Sequence, residues 1–127
     1  MIYADTDFFL ALIKENDWLK RNAARAYEYH KGNIESSDIT LLELMFASTK
    51  YSLDPEVVAG SFFELTDNVK GITHEEGMKV AWLIKEKGFG PADAFHFVFS
   101  SGNILITSEH NYAEIGREII IDLKHRI

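Results

Sequence analysis

Two short apolar segments, each typical of a buried β-strand, run directly into acidic residues. The first covers residues 1–4 and ends at Asp5, and the second covers residues 104–107 and is followed by Ser108 and Glu109. In an open α/β sheet, ligands bind in the crevice beyond the carboxyl ends of the strands. The sequence therefore predicts that at least two carboxylates lie in the one crevice that such a fold provides.

Two further acids, on predicted helices, can join this pair. Glu43 lies in a predicted helix over residues 40–51, and Asp93 lies in another over residues 91–101. Four clustered carboxylates repel one another strongly unless a cation lies among them. Oxygen ligands of this kind select hard divalent ions such as Mg²⁺ or Mn²⁺. The pattern thus predicts a metal site formed by Asp5, Glu43, Asp93 and Glu109.

Strand-like and helix-like segments alternate along the chain, without an internal repeat or a long linker. This alternation predicts βαβ units, and hence one three-layer α/β/α domain over residues 1–127 with a central, mostly parallel sheet. Three helix starts carry their own signals: Asp17 as an N-cap, Asp54 followed by Pro55, and a capping box of Thr73 and Glu76. Strands are predicted at 1–4, 34–37, 68–72, 104–107 and 119–121.

Composition excludes several classes of protein. The chain has 127 residues, of which 46% are hydrophobic and 26% charged, as in an ordinary globular domain. No apolar run approaches the roughly 20 residues that cross a membrane, and no secretory signal is recognisable. The absence of cysteine excludes disulfides and thiolate metal sites, and it fits a cytoplasmic location. The formal net charge of −7 argues against a broad nucleic-acid-binding face, but a carboxylate metal site would itself add negative charge.

Each acid also has an ordinary structural interpretation. Asp5 could cap the helix that follows it, and Glu43 could be the return half of a capping box begun by Thr40. Asp93 would favour the helix dipole in a first turn, and Glu109 could be an exposed turn residue. The metal-site hypothesis rests on the joint pattern of the four acids rather than on any one of them.

Four separated motifs give the chain a resemblance to a known family. They are IYADTDFFL at residues 2–10, SSDITLLEL at 36–44, GFGPADAFH at 88–96 and ILITSEHNY at 104–112. In their order and spacing they resemble the PIN-domain ribonucleases, which include the toxins of many prokaryotic toxin–antitoxin pairs. The resemblance covers nearly the whole chain.

The resemblance implies an endoribonuclease that depends on Mg²⁺ or Mn²⁺ and hydrolyses RNA phosphodiester bonds. Asp5, Glu43 and Asp93 would hold a metal directly or through water, and Glu109 would complete a second position. The family also implies an antitoxin protein as a partner and a homodimer as the assembly. No membrane association is expected.

Two positions depart from the family's pattern. Glu109 stands where the family usually has Asp, and Asp7 replaces a small neutral residue. Glu reaches one methylene farther, so a second metal position is expected to shift or weaken. Two neighbours of the motifs have open roles. Thr107 hydrogen-bonds a metal-bound water, orients Asp5 or makes only local backbone bonds, and His96 is either a hydrogen-bonded structural residue or a proton shuttle.

Two other classes of protein remain as alternatives. One is a PIN-like interaction module that has lost catalysis. The other is a haloacid-dehalogenase-like phosphatase, whose strand-Asp-x-Asp start is matched by residues 5–7. That family would have a small residue and Thr next, where this chain has Phe8 and Phe9. It also needs a downstream Lys, and after Thr107 the chain offers only Lys124.

Overall fold

The strands that the structure describes form one layer in which all neighbours run parallel. The computed structural model of the protein describes residues 1–108 and 120–124. Within these residues the sheet has five strands in the order β3-β2-β1-β4-β5, and each neighbouring pair is parallel. The strands are β1 (Ile2–Ala4), β2 (Ile34–Ser37), β3 (Asn68–Lys70), β4 (Ile104–Thr107) and β5 (Ile120–Asp122).

The strand order places a crevice beside the central strand. The chain builds outward from β1 through β2 to β3, and then returns to add β4 and β5 on the other side of β1. In open α/β sheets the ligand crevice lies where the order reverses in this way. Ala4 is in register with Ile106, so the residues that follow, Asp5 and Thr107, are neighbours at the carboxyl edge of the sheet.

Helices cover both faces of the sheet, as the continuous apolar strands predict. Ile2 and Ala4 pack with the first four helices on one face, whereas Tyr3 packs with the last helix, α6, on the other. The three-layer α/β/α arrangement expected from the sequence is therefore confirmed. The helices are α1 (Thr6–Ile13), α2 (Lys20–His30), α3 (Asp38–Lys50), α4 (Pro55–Leu65), α5 (His74–Lys87) and α6 (Pro91–Phe99).

Most of the helix boundaries follow the predicted signals. Asp54 caps α4 with Pro55 at its first position, and Thr73 and Glu76 form a reciprocal capping box on α5. Gly88 ends α5 with a φ of 71°, a left-handed conformation that glycine adopts without steric strain. In the described residues no helix is long and apolar enough to cross a membrane.

Two predicted helix starts were wrong by a few residues. Asp17 does not cap α2 directly; its Oδ1 accepts a hydrogen bond from the Leu19 amide, and the helix begins at Lys20. The helix predicted from Thr40 begins earlier, at Asp38, because the Ser37 side chain accepts from the Thr40 amide and so provides the N-cap. In both cases a side chain before the helix binds a free amide, and the pattern of apolar residues does not reveal which one.

Candidate active site

Asp5 lies at the centre of the carboxyl edge of the sheet. Its amide continues the sheet by donating to the Ile106 carbonyl at 3.1 Å. Asp5 precedes α1, but its side chain makes no capping hydrogen bond. Instead, Asp5 Oδ2 accepts a hydrogen bond from the Thr107 hydroxyl at the end of β4. The side chain is therefore oriented by the neighbouring strand rather than used to start the helix.

The second oxygen of Asp5 has an unusual environment. Asp5 is only 6% exposed, and its Oδ1 atom is buried without a hydrogen-bond partner in the described part of the chain. A buried carboxylate oxygen without a donor is costly, and native structures normally supply one. A cation bound to this oxygen would supply the missing partner, so the atom is a candidate metal ligand.

Glu43 projects from α3 and is held by contacts from two other elements. The Thr6 hydroxyl donates to Glu43 Oε1 at 2.6 Å, and His96 Nε2 contacts the same oxygen. The Glu43 side chain keeps 30% of its surface exposed. Because α3 begins at Asp38, Glu43 lies too far along the helix to form a capping box with Thr40. That structural interpretation of Glu43 is therefore wrong.

A buried polar chain supports Glu43 from below. The Tyr3 hydroxyl lies 2.8 Å from Ser37 Oγ and 2.8 Å from His96 Nδ1. His96 is 3% exposed and bridges Tyr3 and Glu43 with its two ring nitrogens. The chain of contacts joins β1, the end of β2, α6 and α3, so it fixes the relative positions of the elements that border the site.

Burial and neighbouring charges shift the ionisation of this cluster. Burial is the largest cause that raises the pKa of Asp5 from 3.8 to about 7, and the charges of Asp7 and Glu43 raise it further, while His96 and Thr107 oppose the shift. Burial alone would raise the pKa of Glu43, but the hydrogen bonds and charge of His96 lower it.

The same interactions act on the imidazole. Burial would lower the pKa of His96, but its hydrogen bond to Glu43 and the charges of Asp5, Glu43 and Asp93 raise it above the ordinary value of 6.5. These shifts show that the acids and the imidazole interact as one electrostatic cluster.

Of the other acids singled out in the sequence, the structure describes Asp93 and Asp7. Asp93 lies half-buried in the first turn of α6, and its charge acts on His96. Asp7 accepts a hydrogen bond from the Ser108 hydroxyl, and its charge raises the pKa of Asp5. Glu109 lies outside the described residues.

The donor chemistry of these residues fits a hard divalent ion. Asp5 Oδ1 offers a buried oxygen without a donor, and Glu43 is a second carboxylate beside it. Across residues 1–108 and 120–124, however, no group of three or more acidic or histidine side chains is already drawn together closely enough to hold a metal. The His96 contact occupies Glu43 Oε1.

Several supporting residues could not be identified from the sequence. Tyr3 is part of an apolar strand, so periodicity assigns it to the core and gives no sign that its hydroxyl reaches His96. Thr6 follows Asp5, and Ser37 is the last residue of β2. For each of them, a polar side chain at the carboxyl end of a strand is the signal that the sequence offers. Thr107 is a predicted neighbour of the site, and its hydrogen bond to Asp5 confirms one of its predicted roles, the orientation of Asp5.

Sequence comparison gives no relatives, whereas the fold has close counterparts. The chain matches no protein-family model, and no curated protein matches it in sequence. Among solved structures, a toxin–antitoxin complex from Klebsiella pneumoniae is 21% identical with a TM-score of 0.76, and each chain is covered over 100% of its length. VapC20 from Mycobacterium tuberculosis, a sarcin-ricin loop cleaving toxin, is 20% identical with a TM-score of 0.73 over 91% of this chain and 95% of that one.

A third solved structure extends the likeness to another organism. The DNA-bound VapBC complex from Salmonella typhimurium is 23% identical with a TM-score of 0.72, covering 97% of this chain and 99% of that chain. The TM-scores show that this chain shares the fold of these structures. At 20–23% identity the likeness shows the fold alone and not the activity. With its parallel sheet, two helical layers and carboxylates at the sheet edge, the chain has the PIN-domain fold.

Proposed function

We propose that this chain is an endoribonuclease that depends on Mg²⁺ or Mn²⁺ and acts as the toxin of a toxin–antitoxin pair. The observation that carries the proposal is the buried Asp5 Oδ1, which has no hydrogen-bond partner in the described residues and lies at the carboxyl edge of the sheet. Glu43 lies close enough for its charge to raise the pKa of Asp5. Both features are expected of a carboxylate pair that shares a cation.

Asp5, Glu43 and Asp93 would hold the ion, with Glu109 completing a second position. When bound, such an ion polarises a phosphodiester and lowers the pKa of water, which is the chemistry that phosphodiester hydrolysis needs. Thr107 keeps Asp5 pointed at the site through Oδ2, so Oδ1 stays available. Thr6 and His96 both contact Glu43 and limit its rotamers. Contacts of this kind around a ligand typically change metal affinity by about 10–100-fold.

The substrate and partners follow from the proposed class of protein. RNA is the substrate, because the structurally similar VapC20 is a sarcin-ricin loop cleaving toxin. An antitoxin is the expected protein partner, since other similar structures are toxin–antitoxin complexes. A homodimer is the expected assembly of the toxin within such a complex.

The direct test is cleavage of a mixed-sequence RNA panel in Mg²⁺ and in Mn²⁺. Wild-type protein should cleave at least one RNA, and both EDTA and the Asp5→Asn substitution should abolish the cleavage. Glu15→Gln, an exposed acid in the connection between α1 and α2, is the matched control and should leave cleavage unchanged. Cleavage that survives Asp5→Asn would come from another site or a contaminant and would refute the proposal.

One observation favours a second candidate, a PIN-like interaction module without catalysis. Glu43 Oε1 already has contacts from Thr6 and His96, and the described residues gather no three ligands around a common point. This candidate predicts no RNA cleavage in either ion and no metal-dependent change in partner binding. The phosphatase alternative predicts release of phosphate from a phosphomonoester, which the same protein preparations can be used to measure.

A further inference from the structure

A groove opens between α1 and α3 and begins at the candidate active site. Its volume is about 350 Å³, and Thr6, Asp7 and Glu43 from the candidate active site line part of it. Leu10 and Phe46 contribute apolar lining, and Lys50 and Tyr51 line the groove about two helical turns from Glu43. Glu43 lines the groove and also belongs to the carboxylate cluster, since its charge acts on Asp5. The groove therefore adjoins the cluster and is not a separate pocket.

The groove wall from α3 is a single helical stripe. Glu43, Phe46 and Lys50 are separated by three and four residues, which places them on one face of the helix. Seven residues of helix span about 10 Å. A ligand along this stripe therefore meets a carboxylate first, an aromatic ring next and an ammonium group last.

Phe46 is in the wrong place for a core residue. Its side chain is 71% exposed, whereas the buried face of α3 consists of Thr40, Leu44, Ala47 and Ser48. A single exposed aromatic ring is common on protein surfaces. A ring that lines a cavity next to a cluster of carboxylates is a flat apolar surface on which a base can stack.

Two lysines lie against Tyr51, the residue that lines the groove beside Lys50. Lys14 Nζ lies 4.0 Å from the centroid of the Tyr51 ring, and Lys50 Nζ lies 5.3 Å from it. Lys14 also pairs with Asp17 at 3.4 Å, so its position at the end of α1 is fixed by two contacts. Because Asp17 pairs with Lys14, Lys50 is the cation of the groove lining that is available for an anionic ligand.

We propose that the α1–α3 groove binds one nucleotide of a single-stranded RNA segment next to the cleaved bond. Phe46 stacks on its base, and Lys50 binds the phosphate on the side away from Glu43. The proposal rests on the ribonuclease function, and it adds the position of the substrate. Charge complementarity favours RNA as the occupant, because the Lys50 ammonium would attract a phosphate. The two carboxylates of the lining, Asp7 and Glu43, lie at the candidate metal site that would face the bond to be cleaved.

The test separates RNA binding from cleavage. Binding of fluorescent single-stranded oligonucleotides is measured by anisotropy in EDTA, where a metal-dependent nuclease cannot cut. Phe46→Ala should weaken binding about tenfold, in the range expected for loss of one base-stacking contact. Lys50→Gln should weaken binding and reduce the slope of log affinity against log salt by about 0.7, the value for one phosphate on a single strand.

Matched controls exclude general effects on the fold. Phe63→Ala removes an exposed ring from α4, and Lys85→Gln removes a cation from the last turn of α5. Both should leave the RNA affinity unchanged. Equal affinities for wild type, Phe46→Ala and Lys50→Gln would overturn the proposed groove. An equal loss of RNA affinity in the control variants would also overturn it. The same holds if Phe46→Ala changes only self-association, measured by sedimentation, and leaves RNA binding unchanged.

The outcome is distinguishable from that of the proposed function. If RNA binds through Phe46 but no RNA is cut in Mg²⁺ or Mn²⁺, the groove stands and the ribonuclease proposal fails. If RNA is cut but Phe46→Ala changes neither the affinity nor the KM, the ribonuclease stands and the groove proposal fails.

Discussion

Ionisation of Asp5 lowers the stability of the folded, metal-free protein. Burial is the main reason that its pKa rises from 3.8 to about 7. Below pH 3.8 the carboxyl is protonated in both the folded and the unfolded chain. Between pH 3.8 and about 7 it is ionised only when unfolded, so its contribution to stability falls as the pH rises. Above pH 7 the full penalty remains, at most about 4 kcal/mol for a shift of this size.

Asp5→Asn should therefore stabilise the metal-free protein at high pH and not at low pH. We expect a gain of roughly 2–4 kcal/mol in the free energy of unfolding at pH 8, and no gain at pH 4, because Asn cannot ionise. The measurement is urea unfolding in EDTA at the two pH values. A difference between wild type and variant that does not depend on pH would show that Asp5 ionises normally.

Tyr3 holds the polar chain beneath Glu43. Tyr3→Phe keeps the buried ring but leaves the Ser37 hydroxyl and His96 Nδ1 without the phenol. We expect a loss of about 1–3 kcal/mol in stability, the range for buried polar groups that lose a partner. Tyr29→Phe, on a tyrosine that is 77% exposed, is the control and should be neutral in the same unfolding experiment. Equal stabilities of the two variants would argue against a structural role for the Tyr3 hydroxyl.

Glu109 remains a prediction of the sequence alone, at the position where the family usually has Asp. If it completes the metal site, Glu109→Gln should lower RNA cleavage at least tenfold, because it keeps the size of the side chain and removes the charge that balances the cation. Glu109→Asp should keep or raise the activity. Initial rates on one cleaved RNA provide the comparison, and a full rate for Glu109→Gln would remove Glu109 from the site.

At the scale of helices and strands, helix starts that depend only on neighbouring residues can be predicted from the sequence. The capping box of Thr73 and Glu76 and the Asp54–Pro55 start both need only neighbouring residues, and both are confirmed. The start of α3 was misplaced because Ser37 was assigned to the preceding strand alone, although a strand-end Ser can also cap a helix. Long-range contacts such as Tyr3 with His96 have no signature in a single sequence.

The capping box gives a test at this scale. Thr73→Ala removes the acceptor for the Glu76 amide and one of the two donors to the Glu76 carboxylate, and it keeps the Thr73 backbone amide as the other donor. We expect a loss of about 1 kcal/mol in stability. Thr49→Ala, at an exposed position within α3, should be neutral or slightly stabilising because Ala has the higher helix propensity. Thermal unfolding that ranks the two variants in the opposite order would contradict the cap.

At the scale of the whole molecule, strand order places the site. Alternating strands and helices predicted a parallel sheet, but the order β3-β2-β1-β4-β5 does not follow from periodicity. The order matters because it makes β1 central and puts Asp5 beside Thr107. The resemblance to PIN-domain ribonucleases implied such a fold, and the structural comparisons confirm it at 20–23% identity. The groove at Phe46 has no signature in the apolar pattern, because Phe46 lies outside the buried face of α3, which consists of Thr40, Leu44, Ala47 and Ser48.

The central claim is that the carboxylates at this edge of the sheet bind a divalent cation. Calorimetric titration of the purified, metal-free protein with Mn²⁺ tests it most directly, with wild type, Asp5→Asn and the exposed control Glu15→Gln compared under the same conditions. The account predicts saturable binding to wild type and Glu15→Gln, and an affinity at least tenfold lower for Asp5→Asn. The same Mn²⁺ affinity for wild type and Asp5→Asn, or no saturable binding to wild type, would contradict it.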